Sequence, residues 1–170
     1  EYSSLCQNII TVFMILFGVN FTVYYFILMR KWKQAIKAEE VRYYLLIILA
    51  SIVMITFNLR GYYSSFWTTV KHAAFQVGSI ITTTGYSTVD FNQWPAFSKT
   101  ILVILMFIGA CAGSTGGGLK VSRIVLYFKL VANKIDTALH PKRVKNLRLE
   151  NRTISNEAMI ERGTDANTII

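Results

Sequence analysis

Residues 80–87 read Ile80-Ile81-Thr82-Thr83-Thr84-Gly85-Tyr86-Ser87. They lie inside a stretch, 72–89, that carries no Asp, Glu, Lys or Arg. A hydrocarbon core of about 30 Å needs about 20 apolar residues to cross it as a helix. The stretch nearly has that length, but Gly78, Ser79, three consecutive threonines, Ser87 and Thr88 do not suit a crossing helix. Whether it crosses or turns back fixes the topology of everything around it.

Charge placement decides between the two paths. Lys and Arg concentrate in cytoplasmic loops. The connector 30–42 holds five of them (Arg30, Lys31, Lys33, Lys37, Arg42), the residues after 119 hold ten, and 60–99 hold three. If 72–89 crossed, the two basic regions would fall on opposite sides. If the stretch enters and returns, both are cytoplasmic and 60–99 are extracellular. The re-entrant path is therefore expected.

The rest of the composition agrees with a membrane setting. The chain has 170 residues, 53% hydrophobic and 16% charged, with a net charge of +9. Soluble domains carry about a quarter charged residues. Here 2–29, 43–59 and 100–119 carry none. This excludes an ordinary soluble domain and a disordered chain, and the clustering argues against nucleic acid as the partner of the excess base. A lipid bilayer is the expected surroundings. No basic leader precedes the first apolar run, so no signal peptide is read. Opening on Glu1 and the modest length suggest a fragment of a longer protein.

The pattern predicts an all-α membrane protein in three parts. Residues 1–38 are a transmembrane helix (span 9–29) with its basic connector. Residues 39–135 form a unit of helix 43–59, pore helix and filter 71–88, and broken helix 100–135. Residues 136–170 are a polar cytoplasmic tail with a short hairpin over 144–149 and 153–154. As one helix, 100–135 would be about 54 Å long, more than the membrane is thick. A break is expected at its glycines. Cys6 and Cys111 sit in apolar runs and read as buried thiols.

Two motifs carry the chemistry. A short helix that stops inside the membrane leaves its last carbonyls unpaired and partly negative. Such backbone is tolerated only where it is buried in protein or lines a watery cavity. A dehydrated K⁺ is bound by rings of backbone carbonyls. Gly85 allows the positive φ that turns them inward, and the threonine hydroxyls add oxygens or hold the loop. A polar external loop is the alternative. The second motif is Gly109-Ala110-Cys111-Ala112-Gly113-Ser114-Thr115-Gly116-Gly117-Gly118-Leu119-Lys120. It reads either as an intramembrane loop gating the ion path or as close helix packing through Gly113-x-x-x-Gly117. It is not a phosphate loop, because Leu119 separates Gly118 from Lys120. Lys120 and Arg123 read as inner-vestibule or headgroup-anchoring residues, His72 as an interfacial or capping residue, and Asp90 as a cation-attracting or solvated loop acid. Trp67 and Trp94 read as interfacial aromatics. No acid–base pair, nucleophile or metal cluster stands out, and the membrane-depth segments hold no carboxylate. The reading is not an enzyme.

Together, Thr82-Thr83-Thr84-Gly85-Tyr86-Ser87-Thr88 and the 109–120 run with Val121-Ser122-Arg123 resemble the Trk/Ktr potassium-uptake family, the second run its Trk branch. The resemblance covers about residues 1–158. It implies the third of four channel-like repeats that jointly form one K⁺ path. Carried over, Thr83, Thr84, Gly85 and Tyr86 supply filter carbonyls, with K⁺ at Thr83 and Thr84. Gly113, Ser114, Thr115, Gly116, Gly117 and Gly118 form the gating loop. Potassium is the substrate and no organic cofactor is implied. The implied partners are the remaining repeats, a second copy in a homodimer and a cytoplasmic nucleotide-binding regulatory subunit. Ser87 stands where a potassium channel's filter has a second glycine. A non-transporting scaffold subunit whose glycines serve packing is the alternative function.

Overall fold

The computed structural model describes residues 4–31, 38–139, 147–149 and 152–154. Its first compact unit is Glu1–Ile124. Helices α1 (Ser4–Phe17) and α2 (Phe21–Leu28) open it. The uninterrupted span expected over 9–29 is thus two helices, bent by 93° at their junction. The cause lies in residues 18–20. Asn20 caps α2, its side-chain oxygen accepting from the Thr22 amide at 2.8 Å, which favours a helix start there. The Tyr44 hydroxyl donates to the Ile15 carbonyl at 3.1 Å, taking up a group near the end of α1. A side chain at Gly18 would collide with that hydroxyl and lie 2.8 Å from Thr82 Cγ2.

Helix α3 (Glu39–Asn58) has 20 residues, about 30 Å. It is the one described helix long and apolar enough to cross a membrane unaided. It starts four residues before the expected 43–59, with Glu39 and Glu40 in its first turn, where acids favour a helix N-terminus.

Helix α4 (Phe66–Ile81) packs against α1, α3 and α5 (Ala96–Ile108). It begins five residues before the expected 71, yet its 16 residues reach only about 24 Å. The chain then turns back along it. Thr84 N donates to the Ser79 carbonyl at 2.9 Å, Ser87 Oγ to Gln76 Oε1 at 3.5 Å, and His72 Nδ1 lies 3.3 Å from Thr88 Oγ1. Partner numbers rise on one strand as they fall on the other, so residue 88 stands beside the second turn of the helix that delivered residue 82.

A 3-10 turn, Phe91–Gln93, follows, and then α5. Trp94 is 2% exposed and donates its indole N–H to the Tyr63 hydroxyl at 3.1 Å. It is a core residue, not the expected interfacial one; Trp67 is exposed. Ser98 Oγ donates to Asn58 Oδ1 at 2.7 Å, fixing the start of α5 beside the end of α3. The expected break is a non-helical segment over 109–120, after which α6 (Val121–Leu139) begins. Cys111 is buried as expected, whereas Cys6 is exposed.

The second unit, Val125–Ile170, holds the rest of α6 and the expected hairpin, strands β1 (Leu147–Leu149) and β2 (Arg152–Ile154), antiparallel with Leu147 opposite Ile154. The connector residues 32–37, the first strand's expected start at 144–146 and the rest of the expected tail lie outside the described residues.

Candidate functional site

The returning strip begins where α4 stops. Thr82 caps the helix and its hydroxyl donates to the Gly78 carbonyl at 2.6 Å. Thr83 and Gly85 both have positive φ, 56° and 79°. A β-branched residue in that region is an outlier, costing about 1–2 kcal/mol. Two hydrogen bonds hold Thr83 there: its hydroxyl donates to the Thr82 carbonyl at 2.7 Å and accepts from the Gly117 amide at 2.8 Å. Thr84 Oγ1 lies 2.8 Å from Thr82 Oγ1. All three threonine hydroxyls are engaged with protein, so what the strip offers a cation is backbone oxygen. Among the described residues, the carbonyls of Thr83, Thr84 and Gly85 accept no hydrogen bond. The Tyr86 carbonyl, in the same expected set, accepts from Ser79 Oγ at 2.5 Å.

The 109–120 segment packs against this strip. It is closed at its base by backbone bonds from Leu119 N to the Phe107 carbonyl and from Val121 N to the Ala110 carbonyl, both 3.1 Å. Gly109 and Gly118 meet there, and a Cβ on Gly118 would stand 2.7 Å from Gly109 Cα. The far end, at Gly117, reaches Thr83. Since residues 113–117 are not helical, the helix-packing motif proposed for Gly113 and Gly117 does not form.

The same segment pairs with the break between α1 and α2. Cys111 N donates to the Gly18 carbonyl at 3.1 Å, and Phe21 N donates to the Gly113 carbonyl at 3.2 Å. Thr115 Oγ1 adds a contact of 3.4 Å to the Phe17 carbonyl. Two interruptions that would each orphan backbone groups thereby satisfy one another.

Lys120 folds back so that its ammonium donates to the Gly116 carbonyl. This bond is internal to the 109–120 segment. Arg123 is exposed. Glu40 was not singled out in the sequence, where it reads as an ordinary first-turn acid. It is 6% exposed. Its Oε1 accepts from Ala112 N at 2.6 Å and from Ser122 N at 3.1 Å, and its Oε2 lies 3.5 Å from Asn20 Nδ2. A carboxylate does therefore sit against the 109–120 segment.

At the other end of the strip His72 contacts Thr88 and lies 5.2 Å, ring to ring, from Tyr63. Asp90 is a turn cap: the Asn92 amide at 3.0 Å and the Gln93 side chain at 3.2 Å hold its carboxyl below the usual carboxylate range. A cleft of about 860 Å³ opens beside Tyr86, Ser87 and Thr88, and one of about 450 Å³ lies beside Thr82, Thr84 and Thr115.

Comparison with known proteins identifies the setting. A family model described as TrkH, cation transport protein, matches residues 2–162. The Trk system potassium uptake protein TrkH of Salmonella typhimurium is 37% identical over 87% of this chain and 31% of its own length. Escherichia coli TrkG, named in the same way, is 31% identical over 86% of this chain and 31% of its own length. The crystal structure of the potassium transporter TrkH from Vibrio parahaemolyticus superposes with a TM-score of 0.85 at 28% identity, covering 99% of this chain and 37% of that one. The chain thus spans about a third of the length of these relatives. The fold is the all-α membrane fold of that transporter, with its helix, pore loop and broken helix, and the chain belongs to the TrkH cation transport family.

Proposed function

We propose that this chain supplies one wall of a potassium path in a Trk-type uptake system of the plasma membrane. K⁺ is the transported substrate. It sheds water onto the carbonyls of Thr83, Thr84 and Gly85, with Tyr86 held back by Ser79. The observation that supports the reading is the return of 82–88 along α4, which leaves three carbonyls without hydrogen bonds among the described residues, with clefts at Thr84 and at Tyr86 to Thr88. In a medium without water, free backbone oxygen is tolerated only at a cavity or an ion path. Three further pore loops would close the ring.

The glycine-rich loop, residues 113–118, is the gate. Among the described residues it hydrogen-bonds the filter once, Thr83 to Gly117, so it parts from the filter by breaking one bond there. Residues 30–42 and those after about 120 face the cytoplasm, and 60–99 the outside. The family's homodimer and cytoplasmic nucleotide-binding regulatory subunit are the partners of the complete assembly.

The test is Gly85→Ala in a full-length Trk transporter carrying this segment, expressed in cells deficient in potassium uptake. Gly85 has nothing within 4 Å of an added Cβ, so the change perturbs backbone conformation and not packing. Normal insertion with reduced K⁺ uptake or altered K⁺/Na⁺ preference is expected. Unchanged uptake and preference would overturn the assignment.

A further inference from the structure

We infer that Glu40 is a positioning residue for the gate: its carboxylate holds residues 109–120 in the arrangement that presses on the filter, and losing that grip favours the open loop. The inference deepens the function proposed above and rests on it.

Three donors converge on this side chain from the two interruptions and the helix start that follows the second. Ala112 N, inside the glycine loop, is 2.6 Å from Oε1. Ser122 N, at the start of α6 just after the loop, is 3.1 Å from the same oxygen. Asn20 Nδ2, at the start of α2, is 3.5 Å from Oε2. The loop leaves and re-enters helix within a few residues of a single carboxylate. Hydrogen bonds to a charged acceptor are roughly twice as strong as neutral ones, and the N-terminus of α6 adds a favourable dipole.

Burying a carboxylate is unfavourable unless donors replace its water. Glu40 forms no ion pair among the described residues, so these donors are its compensation. The dependence is mutual. The loop cannot move Ala112 away without stripping one donor from a buried charge. At the other end of the segment Thr83 contributes a single neutral hydrogen bond. Glu40 is therefore the stronger restraint, and it stands on a different helix from the loop. It occupies the first turn of α3, next to the basic connector. A displacement of that end of α3 would act directly on the loop without passing through the filter.

The test compares wild type, Glu40→Gln and Glu40→Ala in a full-length Trk transporter carrying this segment, reading single-channel open probability and K⁺/Na⁺ permeability at matched insertion. Glu40→Ala should raise the open-to-closed ratio about tenfold, equivalent to about 1.4 kcal/mol. Glu40→Gln, which keeps an acceptor oxygen, should give a smaller rise. Permeability ratios should not change. A purely structural residue would lower the amount inserted and leave open probability alone, so unchanged or lowered open probability overturns the inference, as does altered ion preference. If Glu40→Ala does not insert, Glu40→Gln decides by the same criteria. If wild type itself carries no K⁺, the proposed function fails while the positioning role is still measured: the Ala112 and Ser122 amides should exchange hydrogen faster in Glu40→Gln than in wild type, and equal exchange would refute it.

Discussion

Thr83→Val isolates the one hydrogen bond that, among the described residues, joins the proposed filter to the proposed gate. Valine keeps the volume and the β-branch of threonine, so the strain at φ 56° is retained. Only the hydroxyl is lost. That hydroxyl makes two bonds, to the Thr82 carbonyl at 2.7 Å and from the Gly117 amide at 2.8 Å. The first lies within the filter and persists whether the loop is in or out. Only the second is broken when the loop leaves, so it alone weights the gate. A neutral hydrogen bond contributes about 0.5–1.5 kcal/mol net. Thr83 and Gly117 are both exposed in this chain, which argues against the top of that range. About 1 kcal/mol, or about fivefold in the gate's open-to-closed ratio, is expected. The assay is single-channel recording of Thr83→Val and Thr83→Ser in a full-length Trk transporter carrying this segment. Serine keeps the hydroxyl and should retain wild-type gating, while valine should open about fivefold more. Equal open probability in all three would show that the Thr83–Gly117 contact does not report on the gate, and the mechanical link between filter and loop would have to be abandoned.

Three further outcomes follow from named contacts. Gly18→Ala places a methyl against the Tyr44 hydroxyl and Thr82 Cγ2; overpacking of this kind costs about 1–3 kcal/mol, so inserted protein should fall on immunoblots, with partial recovery in Gly18→Ala/Tyr44→Phe and no recovery if the clash is not the cause. Asp90 has a lowered carboxyl pKa because the folded turn bonds its charged form; its contribution is present above the unfolded value, about 3.9, and is lost only as pH falls through the still lower folded value. K⁺ uptake should thus show no Asp90-dependent change between about pH 5 and 8, and a difference between wild type and Asp90→Asn in the pH profile over that range would contradict this. Cysteines placed at Lys71 and Lys99 should react with an impermeant thiol reagent from the outer face of intact cells; labelling of the two from opposite faces would defeat the re-entrant topology.

Much of the fold can be read from charge and period. The uncharged run 43–59, the basic connector and the basic tail place the two spans and the turning loop, because each basic cluster is excluded from lipid regardless of contacts. The strip at 82–85 is legible because threonine and glycine are poor choices for a crossing helix. The break after residue 17 of the expected first span is where periodicity misleads in the other direction: α1 and α2 are both apolar, and one glycine followed by Val19 and Asn20 interrupts them with no change in hydropathy. Trp94 was misplaced for a related reason. An aromatic near a membrane surface suits the interface, while the burial of Trp94 and its partner Tyr63, 31 residues away in sequence, come from tertiary packing. Tyr86 shares the filter motif with its neighbours, yet its carbonyl is claimed by Ser79, which no local pattern announces.

Glu40 shows why the gate's restraints are the least legible part. In sequence it is one of two acids opening a helix, a placement explained fully by the dipole of its own helix. In the structure it serves the N-terminus of α6 and the loop before it, 72 and 82 residues further on. The pairing of Cys111 with Gly18 and of Phe21 with Gly113 is equally silent, since backbone groups leave no trace in residue type. Yet membrane physics makes such a partner necessary. A single interruption at this depth would leave several N–H and C=O groups without water, each costing several kcal/mol. Two interruptions facing one another, with one carboxylate taking the amides of Ala112 and Ser122, remove part of that penalty while fixing neither segment as helix. A loop held this way is fixed by hydrogen bonds from other segments and not by helical bonds of its own, which is the arrangement the proposed gate requires.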